Sequence, residues 1–263
     1  MAQIHEDRLA KLQASMQNEQ IDGIILGNSP NLYYMTGYAP KKCERLLAAI
    51  LPASGEPVLI VPAIYQFSSV RECSITSQSV WLDGEDLVRL VGGILAEMGL
   101  QNGRLAIDDT FEFHQFSLFR EASPRSVFSL GSKLMTPLRM RKSPDEIEWM
   151  RRSGAIADRA VEWIIHAIQS GAGKSERMLK AEMSLWSIGQ GIQDGCSGLI
   201  AAGIHSASPH HVCTDKVPSP GDAVWVDLGG GLHHYYSDIT RSFFVGKPPE
   251  RYRTIYAVSY THL

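Results

Sequence analysis

The residues of this chain best suited to chemistry gather late. Asp227 and Asp238 lie eleven residues apart, on either side of Gly229-Gly230-Gly231 and the string Leu232-His233-His234-Tyr235-Tyr236. The flanking runs, Val224-Trp225-Val226-Asp227-Leu228 and Ser237-Asp238-Ile239-Thr240-Arg241, alternate apolar and polar residues. Such alternation around a glycine-rich connection predicts a β-hairpin. With the turn centred between Leu232 and His233, Asp227 faces Asp238 directly, their Cβ atoms about 4.5–5.5 Å apart. Two carboxylates that close repel one another. A pair of divalent cations about 3.5–4 Å apart resolves the repulsion, one carboxylate bridging while the other chelates. Alternation places Trp225, Asp227, Asp238 and Thr240 on one face, and Val224, Val226, Leu228, Ile239 and Phe243 on the core side. The competing reading is two surface aspartates on a solvated hairpin, since exposed Asp is common. Asp is nevertheless depleted in strands, and two at opposed positions beside three glycines favour a site.

Elements able to position that hairpin are legible upstream. Ser143 is an N-cap candidate, Pro144 sits at N1, and Glu146 completes a capping box. The helix they open is expected to run to Gln169 on an apolar stripe (Ile147, Met150, Ala157, Val161, Ile164, Ile165, Ile168) and to stop at Gly171. Ser175 caps a second helix, closed by Gly189 and Gly191, and strands follow from Gly195. Residues 1–135 alternate shorter elements: a helix over Arg8–Glu19, strands at Gly23–Leu26, Leu46–Leu51, Val58–Val61 and Arg104–Asp108, and a helix over Leu87–Met98. That alternation predicts an α/β domain with a mixed sheet. Pro137 and the basic Arg139, Arg141 and Lys142 mark a boundary, which divides the chain into 1–136 and 137–263.

Composition narrows the classes. The chain has 263 residues, 44% of them hydrophobic and 20% charged, as in an ordinary globular protein. A net charge of −3 argues against nucleic acid or an anionic membrane as partner. No apolar run approaches the roughly 18 residues of a membrane span. Cys43, Cys73, Cys196 and Cys213 form no CxxC pair and read as reduced thiols of a cytoplasmic protein.

The string VDLGG…YYSDITRSF resembles the metal-binding hairpin of the M24 metallopeptidases, the "pita-bread" family of Xaa-Pro aminopeptidases, prolidases, methionine aminopeptidases and creatinase. LRMRKSPDEIEWMRRSGAIAD is similar to the family's opening helix. GLIAAGIHSASPHHVCTDKVPSPGD is similar to the segment with its first active-site histidine, and RLAKLQASMQNEQIDGIILGNSPNLYYMTGY to the creatinase-type amino domain. The fold implied is α/β (α+β): an amino domain followed by the first part of a pita-bread catalytic domain. By position, the resemblance makes Asp227 a chelating ligand, Asp238 the bridging ligand and Thr240 their neighbour in the second shell. His210 becomes the histidine that contacts substrate and moves protons, with His211, His233 and Tyr236 on the substrate rim. Two divalent ions are implied, manganese first, with cobalt or zinc as alternatives. The activity implied is cleavage before proline in short peptides, by a homodimer.

The departures from the pattern carry expectations too. The family's site takes three further ligands, a histidine and two glutamates from later strands. After the hairpin this sequence has only Glu250 and His262. The expectation is therefore a truncated chain that binds metal weakly and is inactive by itself. Val258–Leu263 reads unlike the helix expected from Tyr252 and is suspected to be foreign sequence. Two other readings stay in the fold, a creatinase-like C–N hydrolase or metal-dependent lyase, and a non-catalytic binding module; both are disfavoured for the parent, the lyase excepted, by retention of both aspartates. Gly171-Ala-Gly-Lys-Ser175 joins two helices rather than a strand to a helix, so it reads as paired caps and not as a phosphate loop. His210-His211-Val212-Cys213 has no second ligand pair for zinc. Asp108 and Asp109 read as turn formers.

Overall fold

The structure is a computed structural model that describes residues 2–262. It divides into two compact units, Met1–Arg141 and Lys142–Leu263.

In the first unit, helix α1 (Ala2–Asn18) leads into β1 (Gly23–Leu26), α2 (Pro30–Thr36), β2 (Ala48–Pro52), β3 (Val58–Pro62), α3 (Gln66–Glu72) and β4 (Gln78–Trp81). Then come α4 (Leu87–Glu97), β5 (Arg104–Ile107), α5 (Phe113–Ala122), β6 (Val127–Leu130) and α6 (Ser132–Met140). The strands form one mixed sheet in the order β4-β3-β2-β1-β5-β6. The side-chain period of two explains the nearly unbroken apolar strands, because both faces are covered. Ile24, Leu26, Ala49 and Leu51 join Leu12, Met16, Leu32 and Leu134 of α1, α2 and α6 in one core. Ile25, Ala48 and Ile50 join Val91, Leu95 and Phe119 of α4 and α5 in the other. Pro137 lies inside α6 rather than between elements, so that helix spans the 136/137 division read from the sequence.

The second unit opens with α7 (Pro144–Gln169), whose capping box forms as expected: the Ser143 hydroxyl accepts from the Glu146 amide, and the Glu146 carboxylate accepts from the Ser143 amide. Then follow α8 (Glu176–Gly189), β7 (Ser197–Ala202), β8 (Ala223–Gly229), β9 (Gly231–Leu232), β10 (Tyr235–Tyr236), β11 (Ile239–Phe244) and α9 (Glu250–His262). An antiparallel sheet of order β11-β8-β7 packs its inner face on α7 and α8 through Ile164, Leu179, Met183, Ile200, Val224, Val226 and Leu228. The helix expected to fail at Val258 instead continues to His262; Leu263 lies outside the described residues. Six short elements, α2, α3, β4, α5, β6 and α6, went unread in the sequence.

Candidate metal and active site

The hairpin forms, with a register that corrects the sequence reading. Thr240, not Asp238, is the direct partner of Asp227. The turn is centred between His233 and His234, since Leu232 pairs with Tyr235. Both turn residues adopt left-handed backbone, at φ +50° and +61°. That is the pattern of a two-residue type I′ turn, whose twist matches the strands it joins but whose usual advertisement is Asn-Gly. Moving the turn by one residue shifts the register by two. Parity survives, so Asp227, Thr240 and Asp238 still share a face, and Asp238 becomes a diagonal neighbour of Asp227. Diagonal positions lie within about 7–8 Å.

Burial along β8 alternates as the pattern requires, with Val224, Val226 and Leu228 inside and Trp225 and Asp227 half-buried on the other face. The Thr240 hydroxyl donates to Oδ1 of Asp227 at 2.7 Å. Oδ2 of Asp227 and the whole Asp238 carboxylate, which is exposed, have no hydrogen-bond or ion-pair partner among the described residues. Gly229 makes the close approach possible. A Cβ built there would sit 1.9 Å from the Ser237 carbonyl oxygen and 3.3 Å from Asp238 Cα.

The first helix secures the hairpin. The buried Ser153 hydroxyl donates to the Gly230 carbonyl at 2.6 Å. The Tyr235 hydroxyl donates to Glu146, and the Trp149 ring packs on His233 and Tyr235, with centroids 5.1 and 5.2 Å away. His233 therefore stands at the hairpin turn. Tyr236, 63% exposed, covers Gly231, where an added Cβ would come within 2.8 Å of its ring. The structure does not join either residue to the aspartate pair.

The second polar centre was not read from the sequence. Glu176 opens α8, capped by Ser175, and its side chain is wholly buried. One carboxylate oxygen, Oε1, accepts from the Ala202 amide (3.0 Å) and His205 Nδ1 (3.0 Å). The other, Oε2, accepts from His211 Nε2 (2.8 Å), the Thr214 amide (2.9 Å) and the Thr214 hydroxyl (3.0 Å). The two imidazoles stack, with centroids 4.3 Å apart. Burial by itself raises the Glu176 pKa, but the donors from His211, Thr214, His205 and Ala202 outweigh it and hold the carboxyl at about 2. The His211 side chain, proposed for the substrate rim, is 11% exposed and turned onto Glu176. A glutamate after an N-cap serine reads in sequence as a surface acid answering the helix dipole. The only hint of more was a pair of histidines six positions apart, 29 and 35 residues downstream. His210 lies in an exposed turn, and its imidazole forms no bond among the described residues.

Glu176, His205 and His211 have three ligand-type atoms within 4.8 Å of one another. The carboxylate is already filled by five donors, so this arrangement is chemically a hydrogen-bonded hub. The aspartate pair is the reverse, hard oxygen donors with open lone pairs, which suits a divalent cation.

Residues 8–141 match the creatinase/prolidase N-terminal domain, and residues 148–263 match metallopeptidase family M24. The chain belongs to family M24. An Xaa-Pro dipeptidase of Pyrococcus furiosus is 30% identical over 254 residues, covering 96% of this chain and 69% of that protein. A probable dipeptidase PepE of Mycobacterium bovis is 27% identical over 252 residues, covering 94% of this chain. The chain spans 65% of the length of that PepE relative. Among solved structures, a prolidase from Thermococcus sibiricus superposes with a TM-score of 0.88 at 27% identity, covering 97% of this chain and 69% of that one. The M24 chain is thus a mixed α/β protein with a creatinase-type amino domain ahead of the M24 domain. None of its helices among the described residues is long and apolar enough to cross a membrane.

Proposed function

We propose that this M24 chain carries part of the site of a metal-dependent Xaa-Pro peptidase, which hydrolyses the bond before proline in short peptides. The observation that carries the reading is the hairpin face: Asp227 and Asp238 as diagonal neighbours, with three of their four carboxylate oxygens free of protein partners among the described residues. Similarity to an Xaa-Pro dipeptidase over 96% of the chain supports the substrate class.

Asp227 and Asp238 would hold divalent metal, manganese first, with cobalt or zinc as alternatives. When bound, such ions acidify a water and polarise the scissile carbonyl. The chain's own groups do the rest. Thr240 fixes Oδ1 of Asp227 and so aims its other oxygen. His210, exposed and unbonded, is placed to hydrogen-bond the substrate and exchange a proton at an imidazole nitrogen. His233 and Tyr236 are proposed as rim residues. Four unpaired cysteines fit a reducing cytoplasm, and the family resemblance points to a homodimer.

Titration of the chain with Mn²⁺ tests the site. Binding is expected in the parent sequence and is expected to be lost in Asp238→Asn; unchanged stoichiometry removes the bridging assignment. The full-length protein is then assayed on Ala-Pro with Mn²⁺ and after chelation. Absence of proline-dependent cleavage by metal-replete protein would overturn the peptidase reading.

A further inference from the structure

The segment between β7 and β8 is long, without regular strand or α-helix, and carries His210 at its exposed turn. Its flanks are nevertheless tied at several points. The Trp225 indole donates to the Ser206 carbonyl at 3.0 Å. Asp222 takes the Lys216 ammonium at 2.9 Å and the Ser219 amide at 3.0 Å. Gly203, at φ +60°, leaves room for Asp222, whose Oδ1 would lie 2.4 Å from an added Cβ. Glu176 alone among these anchors grips both sides of His210. It holds His205 before it, and His211 and Thr214 after it.

We propose that Glu176 is the positioning residue for His210, clamping the two flanks of its loop to the first turn of α8 so that the free imidazole is presented at a fixed place. This rests on the reading of His210 given above. The clamp is referenced to a helix whose Leu179 and Met183 lie in the core of the unit, so the loop borrows its rigidity from packed structure. Accepting from both rings also fixes their tautomers, with protons on Nδ1 of His205 and Nε2 of His211. A bound cation would need lone pairs that the five donors already occupy.

The test measures backbone order. In the chain as it stands, amide ¹⁵N order parameters at His210, His211 and Val212 are expected near the rigid value of about 0.85. In Glu176→Gln they are expected to fall below about 0.6, with His166 of α7 unchanged as an internal control. A folded Glu176→Gln chain in which residues 205–214 stay as rigid as α7 overturns the proposal. Should that variant not fold, Thr214→Val, which deletes one donor, takes its place: the same amides must loosen, and unchanged order overturns the proposal. The full-length protein supplies a functional readout. Glu176→Gln should lower kcat/KM on Ala-Pro at least about tenfold, and by less than about threefold in a His210→Ala background, as for residues acting through one group. Equal losses in both backgrounds overturn the positioning role. If His210→Ala leaves cleavage intact while Glu176→Gln still loosens the loop, the role given to His210 falls and the clamp stands.

Discussion

Replacing Glu176 with glutamine converts the buried hub into a quantitative test of acid stability. The carboxyl is held at about 2 against an ordinary 4.5. At 1.36 kcal/mol per pH unit, that gap corresponds to about 3 kcal/mol of folding stability. Because the folded value is the lower one, the contribution is fully present above pH 4.5 and is lost as pH falls toward 2. By pH 3 about 2 kcal/mol of it should already be gone. Glutamine has no charge to lose and offers two N–H groups where the site presents only donors. Glu176→Gln should therefore be less stable than the parent by about 3 kcal/mol at pH 7, comparable to the loss of one or two charge-assisted bonds. The difference should narrow to about 1 kcal/mol at pH 3. Urea unfolding followed by tryptophan fluorescence reports mainly on the second unit, since four of the five tryptophans (Trp149, Trp163, Trp186 and Trp225) lie within residues 142–263. Other acids, such as Asp222, also titrate, but they are common to both proteins and cancel in the difference. A gap between parent and variant that stays constant from pH 6 to pH 3 would refute the assignment of Glu176 as a buried anion held by its donors.

Three further outcomes follow from the hairpin. Replacing His233-His234 with Asn-Gly removes two side chains from left-handed backbone and should raise stability by about 0.5–1 kcal/mol, read as a higher urea midpoint at unchanged slope. Gly229→Ala places a methyl group on the Ser237 carbonyl; the strands must part, at a cost of about 2–3 kcal/mol, and Mn²⁺ titration should show binding lost with the pair geometry. Ser153→Ala strips a donor from the Gly230 carbonyl and should destabilise the second unit by about 1–2 kcal/mol in the same urea assay.

What the sequence disclosed was governed by how local each signal is. The opening of α7 was legible to the residue because an N-cap serine, an N1 proline and an N3 glutamate act within one turn. The face of the hairpin was legible because alternation depends only on parity. Its register was not, because that depends on the turn, and histidines at both left-handed positions carry no glycine or asparagine to mark it. The error displaced Asp238 from directly opposite Asp227 to the diagonal, yet left every side chain on its assigned face. The four-residue strands β1 and β5 were legible as buried apolar runs, whereas β4 and β6, equally short, went unread because most of their residues are half-buried or exposed and no apolar run marks them. Asp108 forms the turn expected of it, its carbonyl accepting from the Phe111 amide, but its carboxylate, 3% exposed, also accepts from Ser29 and Asn31, far off in sequence and unread there. Glu176 escaped for the same reason: its partners lie 26 to 38 residues away.

The hairpin and the His210 loop of the M24 unit share one device. Each of α7 and α8 opens on an N-cap serine and sets a buried glutamate in its first turn, Glu146 at 4% exposure and Glu176 at 0%. There the helix dipole and unpaired amides favour a negative charge and lower the cost of burying it. Each glutamate then reaches beyond its own helix, Glu146 to Tyr235 of the hairpin and Glu176 to the flanks of the His210 loop. Oxygens and imidazoles left open for the proposed metal and substrate cannot also anchor the strands and loops that carry them. A carboxylate at a helix start can anchor them from behind, and removing either one should loosen its own segment while leaving the other in place.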